Sequence, residues 1–130
     1  MVSVGDQHTV LLCSDGRAIA IGSDKYRQCQ IPALEDGTKY TQVSAGGTHT
    51  LLLRSDGKAI AVGLNVASEC KIPMLKEDVE WTQVSAGAKH TALLCSDGSA
   101  VLVGHDHGLS DGSAVLVGHD HGLSDGSAVL

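Results

Sequence analysis

His8, His49 and His90 stand 41 residues apart, and whole phrases travel with them. Ser-Asp-Gly recurs at 14–16, 55–57 and 96–98, Ile31-Pro32 returns as Ile72-Pro73, and the QVSAG of 42–46 returns at 83–87. A fixed period near forty residues constrains the fold more than any single motif. Each unit must be one supersecondary element that buries its apolar surface on copies of itself. The units run over about 1–37, 38–78 and 79–109, and 110–130 is a tail. From Ser96 a second period of 14 overlies the first, because SDGSAVLVGHDHGL at 96–109 is copied at 110–123 and begun again at 124–130.

The middle unit reads as strands. KYTQVSA (39–45) is the first, ended by Gly46-Gly47, where freedom at positive φ suits a turn. HTLLLRS (49–55) is the second. Asp56-Gly57 then signals a tight hairpin of type I′, into a third strand, KAIAVG (58–63). A short fourth strand, Glu69 to Ile72, is terminated by Pro73, which has no N–H for a ladder. The inner strands carry apolar residues at consecutive positions, so both faces of the sheet must be covered. Leu51, Leu53, Ile60 and Val62 are the expected buried set. Four-stranded antiparallel sheets stacked face to face by radial repetition meet these demands, which makes the fold class all-β and the architecture a partial β-propeller of about three blades. In the tail, the AVLV at 114–117 is expected to pair antiparallel to the AVLV at 100–103, in the fourth-strand position, as a short β-meander, with disorder as the alternative because identical copies fix their register poorly. A helical solenoid, the competitor at this period, fails because glycine and proline interrupt the chain too often and no i, i+3, i+4, i+7 stripe persists.

Phe is absent and the aromatics are Tyr26, Tyr40 and Trp81, so the core must be aliphatic. The net charge is −6 and unevenly placed. Residues 1–95 carry nine Lys/Arg against ten Asp/Glu, whereas 96–130 carry five Asp and no cation. No basic stripe exists to neutralise phosphates, which argues against direct nucleic-acid binding. The four cysteines sit at copied positions, Cys13 with Cys95 and Cys29 with Cys70, and form no CxxC pair. They read as free thiols of a reducing compartment. The N-terminus lacks the basic and apolar regions of a signal peptide, and no apolar run is long enough to span a membrane. The expected location is cytoplasmic or nuclear, not secreted.

QVSAGGTHTLLLRSDGKAIAVGLN, followed by C-x-I-P, resembles the repeat of the regulator of chromosome condensation family, in which a G-G-x-H-[ST] phrase, an S-D-G hairpin and an A-x-G-x-N phrase recur once per blade. The likeness covers residues 1 to about 104, and the short C-x-I-P ending is similar to the compact repeats of HECT-type ubiquitin ligases with such propellers. The resemblance implies seven-bladed propellers acting in protein interaction: exchange factors for the small GTPase Ran, substrate-binding or regulatory modules of ubiquitin ligases, and a plant ultraviolet-B photoreceptor. This chain departs from each. It has one tryptophan rather than a cluster, no HECT domain, and no long blade insertion of the kind by which the Ran exchange factor acts.

His8, His49 and His90 each open a strand after a glycine turn, one per blade, and a ring hydrogen-bonded to the neighbouring blade's backbone accounts for all three. His105 and His107, with their copies His119 and His121, could offer four imidazoles to zinc or copper, although by register they fall in a loop. The nonapeptide spacing of calcium rolls is missing. No catalytic set emerges, since G-x-S-x-G does not occur and the carboxylates sit at turns. The sequence therefore marks no catalytic, cofactor-binding or metal residue, and leaves the partner-binding residues unknown.

The expected function is a non-enzymatic protein–protein interaction module, with a partner-selecting fragment of a HECT-type ligase and an exchange factor for a small GTPase as alternatives. Met1 falls at the register of Gln42 and Gln83, inside a strand, and Leu130 stops inside a copy of AVLVG. Both ends thus read as interior to a propeller, and three units leave open blade faces through which the chain is expected to self-associate.

Overall fold

The computed structural model describes residues 1–64, 72, 75, 78–104 and 115–117. Three antiparallel sheets follow one another along the chain. The first holds β1 (Val2–Val4), β2 (His8–Leu12) and β3 (Ala18–Gly22); the second β4 (Tyr40–Ala45), β5 (His49–Arg54) and β6 (Ala59–Gly63). The third holds β7 (Trp81–Ala86), β8 (His90–Cys95), β9 (Ala100–Gly104) and β10 (Val115–Val117). The register is the same in each, with His8 opposite Gly22, His49 opposite Gly63 and His90 opposite Gly104.

The strand count differs from expectation. In the first unit Gln28 to Ile31, the copy of the expected fourth strand, forms turn and irregular backbone. Its amides bond locally instead of to a ladder, Gln30 N–H to Arg27 O at 3.1 Å, Ile31 N–H to Cys29 O at 3.1 Å and Cys29 N–H to Asp24 Oδ1 at 3.0 Å. In the second unit the equivalent Glu69 to Lys71 lie outside the described residues. In the third, β10 takes the fourth position, pairing Val115 with Leu102 and Val117 with Ala100. The copied AVLV segment thus completes that sheet as a meander.

The hairpins form at Asp15-Gly16, Asp56-Gly57 and Asp97-Gly98, but not as type I′ turns. Only the glycines take positive φ, at 88°, 82° and 89°. Gly16 N–H donates to Cys13 O and Cys13 N–H to Arg17 O, which makes a three-residue loop closed by a glycine bulge. The aspartate does separate work. Asp15, Asp56 and Asp97 each accept, through Oδ1, the backbone N–H two residues on, at 3.1, 3.2 and 2.8 Å. That is why Ser-Asp-Gly recurs intact.

The core sits between the sheets. Val10, Tyr40, Val43, Ala45 and Leu52 form one cluster between the first and second; Leu53, Trp81, Leu93, Cys95, Val101 and Val103 form another between the second and third. Strand β5 lies in both, and Leu51, Leu52 and Leu53 are all buried, so the run of consecutive leucines reflects two covered faces. Ile60 and Val62, expected to be buried, are half-buried on the outer strand.

Candidate protein-interaction surface

The histidines mark how one sheet meets the next. His8 Nε2 lies 2.7 Å from Thr50 Oγ1, and His49 Nε2 lies 3.1 Å from Thr91 Oγ1. The side-chain partner is therefore the hydroxyl that follows the next histidine, beside the backbone of that histidine on the neighbouring sheet. Thr50 Oγ1 itself donates to Gln28 O at 2.7 Å, so it can only accept from the ring. The His8 ring therefore donates from Nε2. Burial lowers the His8 pKa, against the opposing pull of the His49 backbone and the Asp6 charge. Burial drives the His49 pKa down to about 4, with the charges of His8 and His90 adding to the effect and the His90 backbone opposing it.

Two further bonds repeat beside each histidine. Ala45 N–H donates to Ser3 Oγ at 2.9 Å, and Ala86 N–H to Ser44 Oγ at 2.8 Å. Asp6 N–H donates to Gly46 O, and Gly47 N–H to Gly87 O, both at 3.2 Å. Gly46 and Gly47 are there for this close approach, not for positive φ, which neither adopts. A Cβ on Gly46 would meet Gly87 O at 2.5 Å and the His49 ring at 2.5 Å, and one on Gly47 would overlap Ala88 O. Serine, histidine and a turn amide (Asp6 or Gly47) on one sheet thus engage an amide, a threonine and a glycine carbonyl on the next.

Among the described residues, this pattern leaves two faces without a sheet against them. On the first sheet, Val2, Val4, Ile19 and Ile21 are exposed, Val4 at 73% and Ile21 at 59%. The cross-strand partners Val4↔Thr9 and Thr9↔Ile21 put them on one side, with Leu11 between Val2 and Ile19. On the third sheet, Ser85 is exposed, and His90, Ala92, Leu94 and Leu102 are half-buried. Between the sheets lie two clefts at corresponding places. One, of about 550 Å³, is lined by Asp56, Lys58, Leu75, Val79, Glu80 and Trp81; the other, of about 360 Å³, by Arg17, Ile31, Pro32, Leu34 and Tyr40.

Among the described residues no three His, Cys, Asp or Glu side chains converge as a metal set would. His105, His107, His119 and His121 lie outside the described residues. Sequence reading missed Thr9, Thr50 and Thr91, Ser3, Ser44 and Ser85, and the Tyr40–Trp81 pair. The signal was present in all of them as the same 41-residue spacing. Gln28, fully buried with its carbonyl on Thr50, carried no signal because its copy Glu69 differs.

Residues 2–28 and 40–68 match the family model described as the regulator of chromosome condensation (RCC1) repeat. No curated protein sequence matches the chain. Among solved structures, human WBSCR16 is similar with a TM-score of 0.73 at 19% identity, over 92% of this chain and 40% of that one. Prp20p from Saccharomyces cerevisiae, described with its binding properties to Gsp1p and histones, gives 0.69 at 20% identity, over 82% of this chain and 31% of that one. The ectodomain of the Physcomitrella patens receptor kinase CR4 gives 0.57 at 15% identity, over 91% and 41%. The chain spans between about a third and two fifths of the length of these structures. Residues 2–28 and 40–68 are thus repeats of the regulator of chromosome condensation type, and the three sheets have the fold of successive blades of such a β-propeller.

Proposed function

We propose that this chain is a non-enzymatic protein-interaction module that engages its partner through the open face of the first blade. The observation that carries the reading is the contiguous apolar surface of Val2, Val4, Leu11, Ile19 and Ile21, four of whose members are exposed on one side of a sheet. Soluble proteins seldom leave such a surface bare, and those that do use it for docking. Its partner is a protein rather than nucleic acid, because it presents aliphatic side chains and no cluster of Lys or Arg. Selecting partners within a HECT-type ligase and acting on a small GTPase are narrower forms of this activity, distinguished by which protein is bound. Cys13, Cys29 and Cys95 are free thiols, which supports work in the cytoplasm or nucleus.

The test is affinity capture from extract with the whole chain, beside a Val4→Lys/Ile21→Lys variant whose sheet content is checked by circular dichroism. The reading expects a set of proteins held by the native chain and lost from the variant. Equal capture by both would overturn it.

A further inference from the structure

The two open faces are the two halves of one repeated joint. The face that the second sheet presents to the first is built from Val43, Ala45, Thr50, Leu52, Ile60 and Val62. Their copies 41 residues earlier are Val2, Val4, Thr9, Leu11, Ile19 and Ile21, which are the open face of the first sheet. The face that the first sheet presents to the second carries Ser3, His8, Val10, Leu12, Ala18 and Ala20. Their copies two units on are Ser85, His90, Ala92, Leu94, Ala100 and Leu102, the open face of the third sheet. One end of the chain therefore displays the receiving side of the joint and the other end its giving side.

We infer that a second copy of this chain docks head to tail, its first blade seated on the third blade of its neighbour. This rests on the proposed role of the first-blade face and names what covers it. The contacts follow from those seen twice within the chain. His90 Nε2 meets Thr9 Oγ1 of the second copy, as His8 meets Thr50 and His49 meets Thr91. Ser85 Oγ accepts the Val4 N–H, as Ser3 and Ser44 accept those of Ala45 and Ala86. Ala88 N–H donates to Gly5 O, as Asp6 and Gly47 donate to Gly46 and Gly87. Such a joint is heterologous, since the two surfaces differ, and it adds blades in the same sense as the chain does.

Sedimentation velocity on the purified chain, from one to a hundred micromolar, tests this with two variants. Val4→Lys/Ile21→Lys blocks the receiving face, and Ser85→Arg/His90→Ala blocks the giving face. The native chain is expected to associate as concentration rises, each variant alone to sediment as a monomer, and an equimolar mixture of the two to form one-to-one dimers. Each double variant weakens its joint roughly tenfold or more. If either variant fails to fold, a dilution series followed by amide resonances of the native chain decides. Signals of Val4, Thr9, Ile21, Ser85 and His90 should shift with concentration while that of Leu52 stays fixed. A native chain that is monomeric throughout, variants that associate unmixed, or shifts elsewhere on the molecule would overturn the inference. A native chain that stays monomeric yet captures proteins that the Val4→Lys/Ile21→Lys variant loses would overturn this inference and leave the proposed function standing.

Discussion

Acid should loosen the joints between blades before it touches any carboxylate. His49 is fully buried, and its pKa is lowered from the ordinary 6.5 to about 4, first by burial and then by the charges of His8 and His90. A histidine with a depressed folded-state pKa favours the folded protein fully above its unfolded value. That contribution is lost as pH falls from 6.5 towards 4, where the unfolded chain takes up a proton that the folded chain refuses. Each pH unit in the window costs about 1.4 kcal/mol, so the loss totals about 3 kcal/mol. Against a typical domain stability of about 5–15 kcal/mol this is a large fraction. His8, lowered in the same direction by burial, adds to it with the same sign. The lowered pKa of Asp15 acts only below 3.8 and leaves the window clear. Urea unfolding at pH 7.5, 6.5, 5.5 and 4.5, followed by the fluorescence of the buried Trp81, measures the effect. The midpoint should fall steadily below pH 6.5, and His49→Gln should flatten the curve to the part that His8 carries. A native midpoint that is constant or rises from pH 7.5 to 4.5 would refute the reasoning.

Two further outcomes follow from packing. Gly46→Ala should destabilise by about 3 kcal/mol, because its Cβ meets the backbone oxygen of Gly87 and the His49 ring. Gly37→Ala, with open space but a φ of 83°, should cost only about 1 kcal/mol; urea midpoints that place the two variants together would contradict this. Leu52→Ala, fully buried in the first cluster, should cost about 2–5 kcal/mol, and Ile60→Ala, half-buried beside it, clearly less in the same assay.

Repetition made most of the fold legible. Consecutive leucines in β5 announced two covered faces, and the copied Ser-Asp-Gly placed all three hairpins. What the sequence concealed was which force each glycine answered. Gly-Gly at 46–47 looks like a turn with positive φ, yet its role is set by Gly87 and Ala88 one unit away, a contact between residues 41 apart that local propensity cannot register. The hairpins show the same limit. Asp-Gly favours type I′ when it is the whole loop, but the Cys13 N–H to Arg17 O bond makes it the last two residues of a three-residue loop. The fourth strand was overread for a related reason. The Gln28 to Ile31 segment alternates as a strand would, while the Asp24 side chain captures its Cys29 amide and the Gln28 side chain the amide of Tyr26 just before it. The joint itself was readable in part: the histidines were seen to bond across blades, and the threonines that receive them stand one residue later in every copy.

Methyl cross-relaxation in solution tests most directly whether successive repeats form sheets joined in chain order. The account predicts contacts between Val10 and Leu52, which join the first sheet to the second, and between Leu53 and Val101, which join the second to the third. It also predicts cross-strand contacts within each sheet, such as Leu11 with Ile19. Contacts confined to single sheets, or sequential helical contacts across 49–62, would contradict it.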